Sequence, residues 1–126
     1  KSHLMNTALW IIAGLLAVAF MAAGFTKATT PREQLKEKGM AYVEDFSDVQ
    51  IKAIGVLEVL GAIGLIVPAF VESVTWLVPA AAIGLAITMV GGVIVHARRK
   101  EAFMPALVLG ILAVVVAVGR IWIAPF

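Results

Sequence analysis

Four apolar runs, each about as long as a helix must be to cross a bilayer, constrain this chain more than any other feature. They are Thr7–Phe25, Ile51–Phe70, Val74–Val95 and Ala102–Ala124, against a requirement of about 20 residues per span. In lipid the backbone has no water to bond, so each run must satisfy its own N–H and C=O groups as a helix. Apolar residues continue round every face instead of alternating with polar ones, which excludes a β-barrel. The expected fold is all-α: a single four-helix transmembrane bundle over residues 5–126, with a short surface helix between the first and second spans. Composition agrees, since 62% of the residues are hydrophobic and 14% charged, with a mean hydropathy of +1.03. Soluble domains are nearer half apolar and a quarter charged. The opening Lys1–Leu4 precedes Met5 and reads as a cloning remnant, leaving His96 as the one native histidine. The first run is longer than a signal-peptide core, has no native positive flank and is followed by three more, so it reads as a span.

Several chemistries are closed to the chain acting alone. It has no cysteine, which removes disulfides, thiolate metal sites and iron–sulfur clusters. One histidine cannot ligate a haem from both sides, and no dinucleotide-binding glycine fingerprint is present. The pI near 9.2 arises from a net charge of only +2. Aromatics are not interleaved with the basic residues as a single-strand binder requires, so nucleic acid is not an expected partner.

The connections carry helix signals. "TTPREQLKEKG" offers Thr30 as N-cap, Pro31 at the first helical position, Glu33 as the capping-box partner and Gly39 as the stop, which predicts a helix over Pro31–Lys38. Ser47 and Gln50 repeat the box, so the second span should begin near Asp48. "PAFVES" is short enough to force a tight hairpin. Pro79 falls inside the third run and predicts a kink, whereas Pro105 suits the first turn of the fourth.

Positive charge is lopsided. Lys27, Arg32, Lys36, Lys38 and Lys52 flank the first connection, and Arg98, Arg99 and Lys100 fill the third. The positive-inside rule therefore puts connections 26–52 and 96–101 in the cytoplasm. Arg98, Arg99 and Lys100 read as headgroup anchors. Arg120 is expected to snorkel to the outer interface beside Trp122, about 25 Å from the acid of the second span. Trp10 and Trp76 read as outer belt residues.

That acid is Glu58, alone in "GVLEVLGAIGLIVP". A charge at mid-membrane costs about 2.5–3.5 kcal/mol on insertion scales and marks a functional site by default. Lys27, ending the first span, and His96, ending the third, lie at matching depth, so the three are expected to share one pocket for a ligand or a proton relay. Gly24, Gly55, Ala62 and Gly92 flank these residues at helical spacing and should allow close packing. The plainer reading is that Glu58 only pins two helices together.

The sequence resembles the DoxX-like membrane proteins. "AAGFTK" closes the first span, "IGVLEVLGAIGLIVP" fills the second, "GLAITMVGGVIVHARRKE" closes the third and "ALVLGILAVVVAVGR" lies in the fourth. Lysine, glutamate, histidine and arginine arriving in that order on four successive spans carry the likeness. The resemblance implies a compact four-helix membrane protein. The family name derives from a subunit of a quinone-reducing thiosulfate oxidoreductase, and other members associate with redox proteins. The leading expectation is a redox-associated subunit that holds a quinone or lipid-like ligand and relies on a protein partner for electrons. A non-enzymatic scaffold or assembly factor is the second, supported by the charged segment Pro31–Asp48. A small transporter is the third; four spans are narrow, so transport would call for a homodimer.

Overall fold

The computed structural model describes residues 2–126. Five α-helices follow in order: α1 Ser2–Thr29, α2 Arg32–Glu37, α3 Asp48–Ile66, α4 Leu77–Arg98 and α5 Met104–Val118. Four stretches, His3–Thr29, Asp48–Phe70, Glu72–Arg98 and Met104–Ile123, are long and apolar enough to cross a membrane. The chain is thus an all-α, multi-pass membrane protein. Its surface says the same: Leu15, Val18, Leu57, Leu60, Ile87, Val90, Val108 and Ile111 all point outward, an arrangement suited to hydrocarbon and hazardous in water.

The spans form a ring in which α1 packs on α3, α3 on α4, α4 on α5 and α5 back on α1. Inside lie Leu16, Phe20, Ala62, Leu65, Ala82, Leu85, Ala113 and Val116. Small residues set the crossings, as expected where lipid supplies no hydrophobic drive for association. Gly61 faces Leu85 and Gly64 faces Ala81 between α3 and α4, and Gly119 faces Leu9 between the fourth span and α1. Of the residues expected to pack closely, Ala62 is fully buried and Gly24 and Gly55 face one another across α1 and α3. Gly92 makes only an ordinary contact, 3.5 Å from Ala106 for a Cβ placed there.

The second capping box forms as predicted: Ser47 Oγ accepts from Gln50 N at 3.1 Å, and Gln50 Oε1 accepts from Ser47 N at 2.9 Å. The first does not. Pro31 itself caps α2, with no side-chain cap bond: the Thr30 N–H that Glu33 would accept from is already given to the Thr26 carbonyl of α1, and Glu33 instead lies 3.6 Å from Arg32. Gly39 ends the segment at φ +97°, as a stop residue should. Pro79 does not kink its span. The chain from Val67 to Val74 spends two 3₁₀ turns on the hairpin, so α4 starts at Leu77 and Pro79 falls in its first turn, where a missing N–H costs nothing.

The expectation for Arg120 is corrected. It is 5% exposed, donates to Asn6 Oδ1 at 2.7 Å and to the Ala124 carbonyl at 2.9 Å, and lies 3.9 Å from the Phe126 ring centre. The fourth span ends in a π-helical turn, Gly119–Ile123, which closes this arrangement. Arg120 ties the two chain ends together instead of reaching for headgroups. Trp10 belongs to the same cluster, 5.7 Å from Phe70 and 5.8 Å from Phe126. Trp76 and Trp122 do stand exposed.

Candidate functional site

The α1–α3 crossing builds the site. A Cβ on Gly24 would meet the Gly55 carbonyl at 2.6 Å and Glu58 Cβ at 2.9 Å; one on Gly55 would meet the Gly24 carbonyl at 2.7 Å and Lys27 Cβ at 2.9 Å. Each helix thus presents a glycine opposite the other helix's charged residue. With the backbones this close, Lys27 Nζ reaches Glu58 Oε1 at 2.9 Å, with side chains 11% and 2% exposed. A charge-assisted bond of that length offsets much of the cost of the buried carboxylate.

A cavity of about 450 Å³ opens beside this pair. Its walls are largely apolar, from Phe20 on α1, Ile54 on α3, Met89 on α4 and Leu109 on α5; Lys27, Glu58, Tyr42 and His96 gather at the basic end, and Thr88 lies deeper, its hydroxyl given to the Gly84 carbonyl. The wall also includes Ile87 and Gly91, both exposed on α4, so the cavity opens sideways to the lipid.

The connection between the first two spans covers the mouth. Leu35 and Val43 are fully buried there against Ile51 of α3, with Met40, Tyr42 and Phe46 packed around them, so residues 31–47 share a small core with the start of the second span. Arg32 braces it by donating to the Val43 carbonyl at 3.0 Å and the Glu44 carbonyl at 3.2 Å. Beneath it, Lys52 of α3 holds the end of α1 through the carbonyls of Lys27 and Thr30. Arg99 ties the connection to the end of α4, 3.1 Å from Asp45 and 3.8 Å from Glu44. This corrects the reading of Arg99 as a headgroup anchor: two carboxylates of the cap and Glu101 have turned it inward, and the hydrogen bond to Asp45 holds its guanidinium above the usual range. Arg98 and Lys100 stay exposed.

His96 lines the cavity but reaches Tyr42, not the Lys27–Glu58 pair. The Tyr42 and His96 rings meet edge to face with centres 5.0 Å apart, and Lys27 Nζ lies 5.8 Å from the centre of the tyrosine ring. The order across the mouth is therefore Lys27, Tyr42, His96. Behind His96, α4 ends in a Schellman motif. Lys100 takes φ +57°, its N–H donates to the Ala97 carbonyl at 3.1 Å, and the Glu101 N–H donates to the His96 carbonyl at 3.0 Å. That motif stacks the residue after the turn on the third from the helix end, here Glu101 on His96. Glu101 Oε1 lies 2.8 Å from His96 Nδ1, and Oε2 lies 3.3 Å from Arg99. The hydrogen bond from His96, with help from Arg99, holds the Glu101 carboxyl below its usual range. It is ionised at neutral pH and can only accept, so the proton of that bond sits on Nδ1.

A family model described as the DoxX-like family matches residues 11–118. The chain belongs to the DoxX-like family. No curated protein and no solved structure matches it. Every cavity residue of this DoxX-like chain, including Lys27, Tyr42, Glu58 and His96, lies inside the matched stretch, as does Glu101, whereas Asn6, Arg120 and Phe126 of the cluster at the opposite end lie beyond it.

Tyr42 and Glu101 do not stand out in the sequence as site residues. Tyr42 is the one tyrosine of the chain. Its signal is a group of apolar residues, Met40, Tyr42, Val43 and Phe46, set in an otherwise charged connection, which only a small buried core explains.

Proposed function

We propose that this DoxX-like protein is a redox-associated membrane subunit whose cavity holds a quinone or a similar ring-headed, lipid-soluble molecule, a partner protein carrying the electrons. One observation supports this above the others: an apolar cavity of about 450 Å³ that opens to lipid and ends in Lys27, Tyr42 and His96. The volume lies within the range of about 300–1,000 Å³ usual for small-molecule sites. A quinone, when bound, would supply the oxygens that take up electrons and protons. Lys27 donates one of its three N–H bonds to Glu58 and has others for a ligand oxygen. Tyr42 and Phe46 cover the ring from the aqueous side, and His96 leads through Glu101 to water. Lipid extracted from the purified protein should contain quinone in near-equal amount to the chain, and Tyr42→Ala should lose most of it. Recovery of bulk phospholipid alone would overturn the reading.

The scaffold reading draws on the charged, folded cap, and it gains if no quinone is retained while a protein partner is. The basic end is proposed to face the cytoplasm on the strength of its exposed Arg98 and Lys100 and the basic residues of the cap. A cysteine at position 99 should be shielded from impermeant reagents added outside, and one at position 75 should be labelled; the reverse pattern would invert the topology.

A further inference from the structure

Glu101 sets the hydrogen-bonding character that His96 shows to the cavity, and this bears on which redox form of a ligand the site prefers. Resting on the reading of the cavity above, we infer that the site selects the reduced, hydroxyl-bearing form of a ring-headed lipid over its oxidised, carbonyl-bearing form, with Glu101 as the positioning residue.

The selectivity originates at the end of α4. The Schellman turn, with Lys100 at φ +57°, holds the Glu101 backbone beside His96, within reach of a side-chain bond. Arg99 grips the second carboxylate oxygen at 3.3 Å, which fixes the carboxylate plane. Glu101 Oε1 then takes the Nδ1 proton at 2.8 Å. A neutral imidazole carries one proton, so Nε2 is left as an acceptor. It has no protein partner among the described residues, and the ring lines the cavity. Tyr42 meets the ring edge to face and limits its freedom to turn away.

An acceptor at that point discriminates. A phenolic hydroxyl can donate to Nε2 while its oxygen still accepts from another donor. A quinone carbonyl has no proton to offer, and at Nε2 it would bring two lone pairs together. Lys27 on the far side of Tyr42 donates to either form and so contributes affinity without choosing between them. A site built to hydrogen-bond a hydroxyl rejects the analogue lacking it because its own buried group is left unpaired.

The test uses the full chain in detergent, kept anaerobic at about pH 8.5, above the ordinary histidine range. Decyl-benzohydroquinone and decyl-benzoquinone are compared by equilibrium dialysis. The wild type should bind the hydroquinone about tenfold more tightly, the worth of one hydrogen bond set against an unpaired acceptor. Glu101→Leu releases the tautomer and should bring the ratio close to one. In Glu101→Gln the single amide oxygen is taken by Arg99, so the NH2 donates to Nδ1, the ring proton moves to Nε2, and the ratio should fall below one. Nitrogen-15 shifts of His96 should report the Nδ1 proton in the wild type, the Nε2 proton in Glu101→Gln, and a mixture in Glu101→Leu. Equal binding of both forms by the wild type, or a ratio untouched by Glu101→Leu, would sink the inference and leave the proposed function standing. Failure of both forms to bind would remove the cavity reading and the inference with it.

Discussion

Lys27→Met should destabilise the protein by about 3–5 kcal/mol, the range seen when one partner of a buried ion pair is removed. The side chain of Glu58 is 2% exposed, and among the described residues its charged partner is Lys27 at 2.9 Å. Methionine fills the same space but leaves the carboxylate without a cation. Glu58→Gln should cost much less. The amide oxygen keeps a bond from Lys27, and the lysine lies nearer the aqueous end, where a long side chain can reach water. This asymmetry separates a buried pair from two independent charges. The double variant Lys27→Met, Glu58→Leu should recover most of the loss, since apolar replacement of a whole buried pair is often neutral or better. Unfolding in mild detergent by increasing denaturant compares these proteins, and Glu58→Leu alone supplies the fourth corner of the double-mutant cycle. A Lys27→Met variant within about 1 kcal/mol of wild type would show that Glu58 is stabilised by something other than Lys27. Arg120 is the control, because it sits with Asn6 at the opposite end of the spans. Its substitution should add to the others without coupling, as changes at distant, independent sites do.

The spans, their order and the helix starts at Ser47 and Pro105 were legible in the sequence because each rests on local chemistry: run length, a capping box, a missing N–H. The depth match of Lys27 with Glu58 was legible too, since rise per residue is fixed in a helix. What the sequence hid depended on tertiary partners. Thr30 has the residues of a capping box around it, but α1 runs on to claim its N–H through the Thr26 carbonyl, and Lys52 takes its carbonyl from another helix. Arg120 reads as an interfacial cation beside Trp122 until its spacing is considered. Ala113, Val116 and Ala117 are buried at helical intervals before it, and that stripe carries Arg120 inward. Its acceptors, Asn6 and Ala124, then satisfy it at the other end of the chain and in the π-turn. His96 was placed at the right depth, but edge-to-face contact with a tyrosine from a connection cannot be read from span periodicity.

Gly55→Ala should destabilise the bundle by about 1–3 kcal/mol, the usual cost of overpacking, although alanine is the better helix former by about 1 kcal/mol. The added methyl would lie 2.7 Å from the Ala28 nitrogen and 2.7 Å from the Gly24 carbonyl. Both are backbone atoms of a packed helix and cannot rotate aside, so α1 and α3 must separate. Gly24→Ala meets the mirror-image obstacle at the Gly55 carbonyl, 2.6 Å away. Separation would also lengthen the Lys27–Glu58 bond, so the coupling energy from the cycle above should shrink in the Gly55→Ala background. Gly84 and Gly91, within the apolar stretch of α4, have nothing within 4 Å of where an alanine methyl would stand. Alanine there should be neutral or stabilising, because only the helix propensity changes. Opposite signs for the same substitution, measured in one detergent, would tie the effect to the crossing and not to glycine itself. A Gly55→Ala protein as stable as Gly84→Ala, with the ion-pair coupling intact, would mean that the two helices have room to spare and that the glycine pair does not set the site.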